Sequence, residues 1–233
     1  MSKDRSQQTP APASSRPEIA EFIERVHALG PASASDKRGR LIFALDATMS
    51  RQPTWDSACA LQADMFREAA KTGGLDIQLV YFRGFNECRA SRWVGDAAAL
   101  RDLMTGIECR GGNTQIGKLL SHARKETGKR KVNAMVFVGD AQEEILDDLA
   151  AKAGELGLLG VRLFMFQEGG DPSVERGFRE LARLSGGAYA RFDPNAADEL
   201  RQLLTAAAVY AAGGLKALQK SGAGARLLIE QLR

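Results

Sequence analysis

Hydrophobic and polar positions along this chain switch repeatedly between a strand period and a helix period. Leu41-Ile42-Phe43-Ala44-Leu45 is an unbroken apolar run, the pattern of a strand buried on both faces of a parallel sheet. A helix is expected from about Thr54 to Thr72. Asp76 to Phe82 alternates and ends in an aromatic pair, a second strand, and Arg92-Trp93-Val94 reads as a short edge strand. Asp96 to Met104 reads as a helix with Asp96 as its cap, and Thr114 to Thr127 as the helix after a Gly-Gly turn. A central strand follows over Val132 to Val138, a helix over Glu143 to Leu156 and a strand over Val161 to Phe166. Ser173 to Leu184 is a helix with Ser173 as cap, ended by Gly186-Gly187. Ala188 to Phe192 is the last strand, and Asn195 to Tyr210 the closing helix. Strands separated by helices mean βαβ crossovers. The expected fold class is α/β, doubly wound, with a mainly parallel central sheet flanked by helices on both faces.

Three segments organise the chain: 1–38, 39–212 and 213–233. Residues 1–17 read as a disordered tail, polar and without an apolar core, so no signal peptide is expected. From Pro17 to Leu29, the side chains Ile19, Phe22, Ile23, Val26 and Leu29 are spaced for one face of a short helix, and a polar linker runs from Pro31 to Arg38. The α/β domain occupies 39–212. Gly213-Gly214 interrupts the last helix, and Leu215 to Arg233 forms a helical extension that either packs on the domain or docks on a partner.

Charge and cysteine usage narrow the function. The 233 residues carry a net charge of only +3 with both signs interspersed, so nucleic acid is not an expected partner. The densest basic patch, Arg124-Lys125 with Lys129-Arg130-Lys131, reads as a helix C-terminus and a solvated turn. No apolar run is long enough to span a membrane. Cys59, Cys88 and Cys109 are odd in number and form no Cys-x-x-Cys pair, which argues against disulfides and zinc and for a reducing, cytoplasmic compartment.

The first strand ends in Asp46-Ala47-Thr48-Met49-Ser50, a carboxylate and two hydroxyls spaced two apart. Alternate side chains where a buried strand ends can converge above the sheet edge, where ligands of doubly wound sheets bind. Hard oxygen donors there suit Mg²⁺ or Mn²⁺. The same segment can also be an ordinary strand-to-helix turn with Asp46 or Thr48 as cap. Further on, Gly111-Gly112-Asn113-Thr114 leads into a helix, and Val136-Phe137-Val138-Gly139 runs into Asp140.

In order and spacing these three motifs resemble the von Willebrand factor A domain and its metal-ion-dependent adhesion site, over roughly Arg40 to Tyr210. The resemblance implies a metal site at Asp46, Thr48, Ser50, Thr114 and Asp140. In that family the first two hydroxyls bind the cation directly, the later Thr binds it in one state, and the carboxylates act directly or through water. One position is left for a partner's acidic side chain. The chain departs from the family at Thr48, often Ser, at Met49, often Gly, and at Gly139-Asp140-Ala141, usually Thr-Asp-Gly. Intracellular bacterial-type relatives often work beside ring-shaped ATPases, so a separate ATPase chain is one partner the resemblance implies.

Other motifs are weaker. Gly112-x-x-x-x-Gly117-Lys118 nearly completes a phosphate-binding loop, but Leu119 stands where Ser or Thr should hold Mg²⁺. Asp46 also sits where haloacid-dehalogenase-like enzymes carry a nucleophile, but Thr48 replaces their acid/base Asp. His27 and His122 lie in helical segments, His122 expected toward solvent or a helix neighbour. Glu143 and Glu144 read as first-turn helix acids or as residues of the site's rim. Three functions follow. The leading one is a non-enzymatic protein-interaction module that binds a partner's Asp or Glu through the metal. The others are a metal-assisted hydrolase or phosphatase on the same site, and a metal-free scaffold acting through its terminal helices.

Overall fold

The computed structural model describes residues 38–49, 52–193, 197–220, 228–229 and 231–232. Of the tail, amphipathic helix and linker expected over 1–38, all but Arg38 lie outside these residues, as do Ser50 and Asn195. The elements are β1 (Gly39–Asp46), α1 (Gln52–Ala70), β2 (Leu75–Arg83), β3 (Glu87–Val94), α2 (Ala97–Thr105), α3 (Ile116–Lys129), β4 (Ala134–Gly139), α4 (Leu146–Leu158), β5 (Arg162–Glu168), α5 (Pro172–Ser185), β6 (Ala188–Phe192) and α6 (Ala197–Gln219). The strands form one sheet in the order β3-β2-β1-β4-β5-β6. Every neighbouring pair is parallel except the β2–β3 hairpin.

All eight residues of β1 are buried, because both faces of the sheet are covered. Leu41, Phe43 and Leu45 point into a core shared with α1, α2 and α6. Ile42 and Ala44 point into a second core shared with α3, α4 and α5. The second core is built around Phe137, which stacks on Phe82 at 6.1 Å between ring centroids and meets Phe178 edge-on at 5.5 Å.

Several boundaries differ from the sequence reading. β3 starts at Glu87 rather than Arg92. As the antiparallel edge of the sheet it is largely uncovered, so charged residues occupy positions that hydrophobicity would otherwise mark. Helix α5 is capped by Asp171, whose carboxylate accepts from the backbone N–H of Ser173 at 2.7 Å, so Ser173 is a recipient of the cap and not the cap itself. Asp96 caps α2 as expected, accepting from Ala99 N–H at 2.8 Å. Helix α6 kinks at Gly214 (φ 68°, ψ −166°) and runs on to Gln219. Leu218 and Leu228 are buried in the same core as β1. Beyond them the Gln231 side chain accepts from the backbone N–H of Tyr189 and donates to its carbonyl, both at 2.7 Å, along the outermost strand β6.

The amino end of the sheet carries a buried polar group. Arg40, 5% exposed, lies 3.7 Å over the Trp93 ring and 3.6 Å from Glu126, and donates to the Arg130 carbonyl at 2.6 Å. Trp93 Nε1 and Lys129 Nζ also donate to the Glu126 carboxylate, at 3.0 and 2.6 Å. A buried charge persists only when paired in this way. His122 does not face solvent; its Nε2 lies 2.9 Å from Gln78 Oε1 on β2. Burial pushes the His122 pKa down, partly opposed by the charge of Glu126.

Two stability changes follow. Phe137→Ala should cost about 3–5 kcal/mol in urea unfolding, the range for emptying a buried aromatic site, whereas Leu158→Ser on the exposed end of α4 should stay within about 0.5 kcal/mol. Because His122 holds its proton less well folded than unfolded, its contribution is complete above the unfolded value of about 6.5 and is lost as pH falls toward the folded one. The urea midpoint of the native chain should therefore drop more between pH 7.5 and pH 5.5 than that of His122→Gln.

Candidate metal site

The strand order reverses between β1 and β4. The chain passes from β1 outward to β2 on one side, and from β4 outward to β5 on the other. In open α/β sheets the crevice at the carboxyl ends of such a pair is the ligand site. The register pairs Leu45 with Val138, which brings the ends of β1 and β4 side by side. A Cβ on Gly139 would lie 3.7 Å from Asp46 Cβ and 2.7 Å from the Phe137 ring. A larger residue at 139, such as the family's usual Thr, would collide with that ring. Asp46 is 3% exposed, and its Oδ1 accepts the Thr48 backbone N–H at 2.8 Å, a local turn that orients the carboxylate.

The loop before α3 is laid across this crevice by backbone bonds. Arg110 N–H donates to Ala47 O at 2.9 Å, and Asn113 N–H to Gly84 O at 3.2 Å. Gly112 passes so close to the β2–β3 turn that a Cβ there would stand 2.1 Å from Gly84 O, so only glycine fits. The turn thereby presents Thr114, 7% exposed, at the sheet edge. Lys118 does not reach toward a phosphate position: its Nζ donates to Gln115 Oε1 at 2.8 Å and to Asn86.

The loop after β4 completes the site. Glu143 N–H donates to Thr114 Oγ1 at 3.0 Å, and Thr114 N–H donates to Glu143 Oε2 at 2.9 Å, a reciprocal pair. Glu144 accepts from the N–H groups of Ile116 (2.8 Å) and Gly117 (2.7 Å), the first turn of α3. Neither glutamate lies in the first turn of its own helix, since α4 begins at Leu146. Of the two readings the sequence allows, first-turn acids or residues of the site's rim, Glu143 fits the second, since it lines the cavity, and the helix start that Glu144 serves is that of α3. The missed signal is that α3 opens on Gln115, which makes no side-chain cap.

Asp46, Thr48, Thr114 and Asp140 line one cavity of about 320 Å³, together with Met49, Gly111, Gly112, Ala141 and Glu143. Four of the five residues singled out in the sequence are thus brought together, and the fifth, Ser50, lies outside the described residues. Their donors are all oxygens, the chemistry of a hard cation. Thr114 Oγ1, though it accepts one bond, has a second lone pair. Among the described residues no cluster of three or more His, Cys, Asp or Glu has metal-ligand placement; the site is of another kind, carboxylates alternating with hydroxyls. The cysteines are free, and burial pushes the Cys59 thiol up to about 11, so it is protonated and a poor ligand at neutral pH.

No protein-family model matches the sequence, and no curated protein matches it. Solved structures do. A von Willebrand factor type A protein from Catenulispora acidiphila superposes with a TM-score of 0.56 at 19% identity, covering 74% of this chain and 43% of that one. The SpRpn10 VWA domain matches with a TM-score of 0.56 at 13% identity, covering 76% and 97%. Proximal thread matrix protein 1 from the mussel byssus, with a zinc-occupied MIDAS motif, matches with a TM-score of 0.57 at 14% identity, covering 74% and 47%. The fold is that of a von Willebrand factor A domain. The chain spans less than half of the Catenulispora and mussel chains. Among the described residues no helix is long and apolar enough to cross a membrane.

Glu144→Ala removes an acceptor from two N–H groups at once. It should lower stability by roughly 1–2 kcal/mol, the value of a helix cap, and calorimetric or urea unfolding of the variant measures it.

Proposed function

We propose that this chain is a metal-dependent protein-interaction module. Asp46, Thr48, Ser50, Thr114 and Asp140 hold Mg²⁺ or Mn²⁺, and an Asp or Glu of a partner chain completes the coordination. The observation that supports this most is the convergence of Asp46, Thr48, Thr114 and Asp140, from three separate stretches of sequence, on one cavity at the strand switch point.

When bound, the cation supplies a positive centre that attracts a carboxylate. The protein's part is to hold oxygens in place. Asp46 is oriented by its turn with Thr48, and Thr114 is fixed by the reciprocal bonds with Glu143. The hydroxyls contribute no charge, and with Asp46 or Asp140 acting through water, as the resemblance implies, few anionic groups touch the ion, so a partner carboxylate gains from binding. The fold-relative with an occupied MIDAS holds zinc; for this chain an all-oxygen set of this size favours the smaller hard cations. A hydrolytic reading has less support: among the described residues lining the cavity there is no His, Cys or Lys, Asp46 and Asp140 are assigned to the metal, and Glu143 accepts the Thr114 N–H. The free cysteines favour a reducing compartment, the cytoplasm. A ring-shaped ATPase on a separate chain is the partner class that family analogy suggests.

Mg²⁺ at about a hundred times its dissociation constant should stabilise the folded chain by roughly 2.7 kcal/mol. For a domain of this size that is a rise of about 5–10 °C in the unfolding midpoint. Asp46→Ala and Thr114→Ala should lose both this rise and the heat of Mg²⁺ titration. A metal response unchanged in Asp46→Ala would move the metal elsewhere and sink the assignment.

A further inference from the structure

Among the described residues four large apolar side chains are exposed: Met49 (65%), Phe85 (83%), Ile145 (69%) and Leu158 (63%). A scattered set would need no explanation. Two of these four, however, stand on loops that build the candidate metal site, Met49 after β1 and Ile145 after β4, and Phe85 stands on the β2–β3 turn to which the Thr114 loop is tied. Met49 lines the cavity itself. Phe85 is the tip of the β2–β3 turn. Its neighbours Gly84 and Asn86 are tied to the loop that presents Thr114, through Asn113 N–H, Gln115 Nε2 and Lys118 Nζ. Ile145 directly follows Glu143 and Glu144, whose carboxylates grip Thr114, Ile116 and Gly117. The tips at Phe85 and Ile145 are held by hydrogen bonds at their bases while their apolar side chains are left in water.

We propose that these three side chains form an apolar collar that docks a protein segment in which one Asp or Glu is flanked by large hydrophobic residues. The inference rests on the metal-site reading above and specifies its partner. Charge complementarity selects the acid, since a cation among Asp46, Thr48, Thr114 and Asp140 recruits a carboxylate. The collar selects its neighbours. An ion–carboxylate bond gains strength when water is excluded around it, and apolar contacts at the periphery of a polar hot spot do this. A wholly polar segment would leave Met49, Phe85 and Ile145 wet and the bond screened. A second copy of this chain is disfavoured as occupant, because a symmetric contact through this face sets one cation against the other.

The test uses a phage-displayed library of random twelve-residue peptides with a fixed central Asp, panned against the full chain with Mg²⁺ or with EDTA. Mg²⁺-dependent clones should carry Leu, Ile, Phe, Met or Trp within about four residues of the Asp, the reach of side chains around one anchor in an extended or helical segment. A synthetic peptide of the enriched sequence should bind Phe85→Ser and Ile145→Ser at least tenfold more weakly, with Mg²⁺ affinity and unfolding midpoint unchanged. Mg²⁺ binding by calorimetry together with polar-flanked clones overturns this inference and leaves the metal site standing. So does equal peptide affinity in both variants, or a Mg²⁺-dependent dimer in sedimentation that Phe85→Ser abolishes. Absence of Mg²⁺ binding overturns the metal site and the collar's role together.

Discussion

A helix that cannot cap itself holds the site together. Helix α3 starts at Gln115-Ile116-Gly117 with no side chain of its own to satisfy its first N–H groups. Such groups must find acceptors, and here they find them on Glu144, one loop further along the chain. The adjacent Glu143 and Thr114 exchange two hydrogen bonds, so the loops after β4 and before α3 meet at a shared seam. The same seam carries Thr114 and borders Asp140. The start of a helix and the geometry of the candidate site are therefore one arrangement, and neither can shift without loosening the other.

The sheet supplies what the loops cannot, a rigid floor. The chain diverges from β1 and β4 in opposite directions, and this opens the crevice above their ends. Phe137 lies under it, packed between Phe82 and Phe178. Gly139 above that ring lets Asp46 and Asp140 stand on adjacent strand ends without a side chain between them. The departure from the family's usual residue before the final carboxylate is thus tied to a large aromatic ring two residues earlier. Met49 has a different consequence, since it stands at the cavity and projects into solvent.

Much of this architecture was legible in the sequence, for a physical reason in each case. The apolar run at Leu41–Leu45 marked a central strand because β1 is buried on both faces. Asp46, Thr48, Thr114 and Asp140 were legible because they stand at strand ends and turns, where an apolar run stops and oxygen-bearing side chains begin. What escaped was set by long-range pairing. β3 looked like three residues because an edge strand lacks an apolar face. His122 read as facing solvent or a helix neighbour because nothing in its own helix announces Gln78 on β2, 44 positions away. Glu143 and Glu144 could be read as first-turn acids or as residues of the rim, and the sequence does not choose, because their carboxylates serve groups 27 to 29 positions back, a partnership local pattern does not encode.

The amide of Gln231 has a meaning beyond its two hydrogen bonds to Tyr189. It offers the outer strand one acceptor and one donor, as a further strand would, and then stops. At the opposite margin the hairpin strand carries Arg89 and Glu87 as an ion pair, and charge there discourages any incoming backbone. Open sheet margins are where folded proteins recruit copies of themselves into fibres. A side chain that imitates a single peptide unit occupies the outward pairing groups of Tyr189 without lengthening the sheet, so that stretch of the margin is closed to an incoming strand.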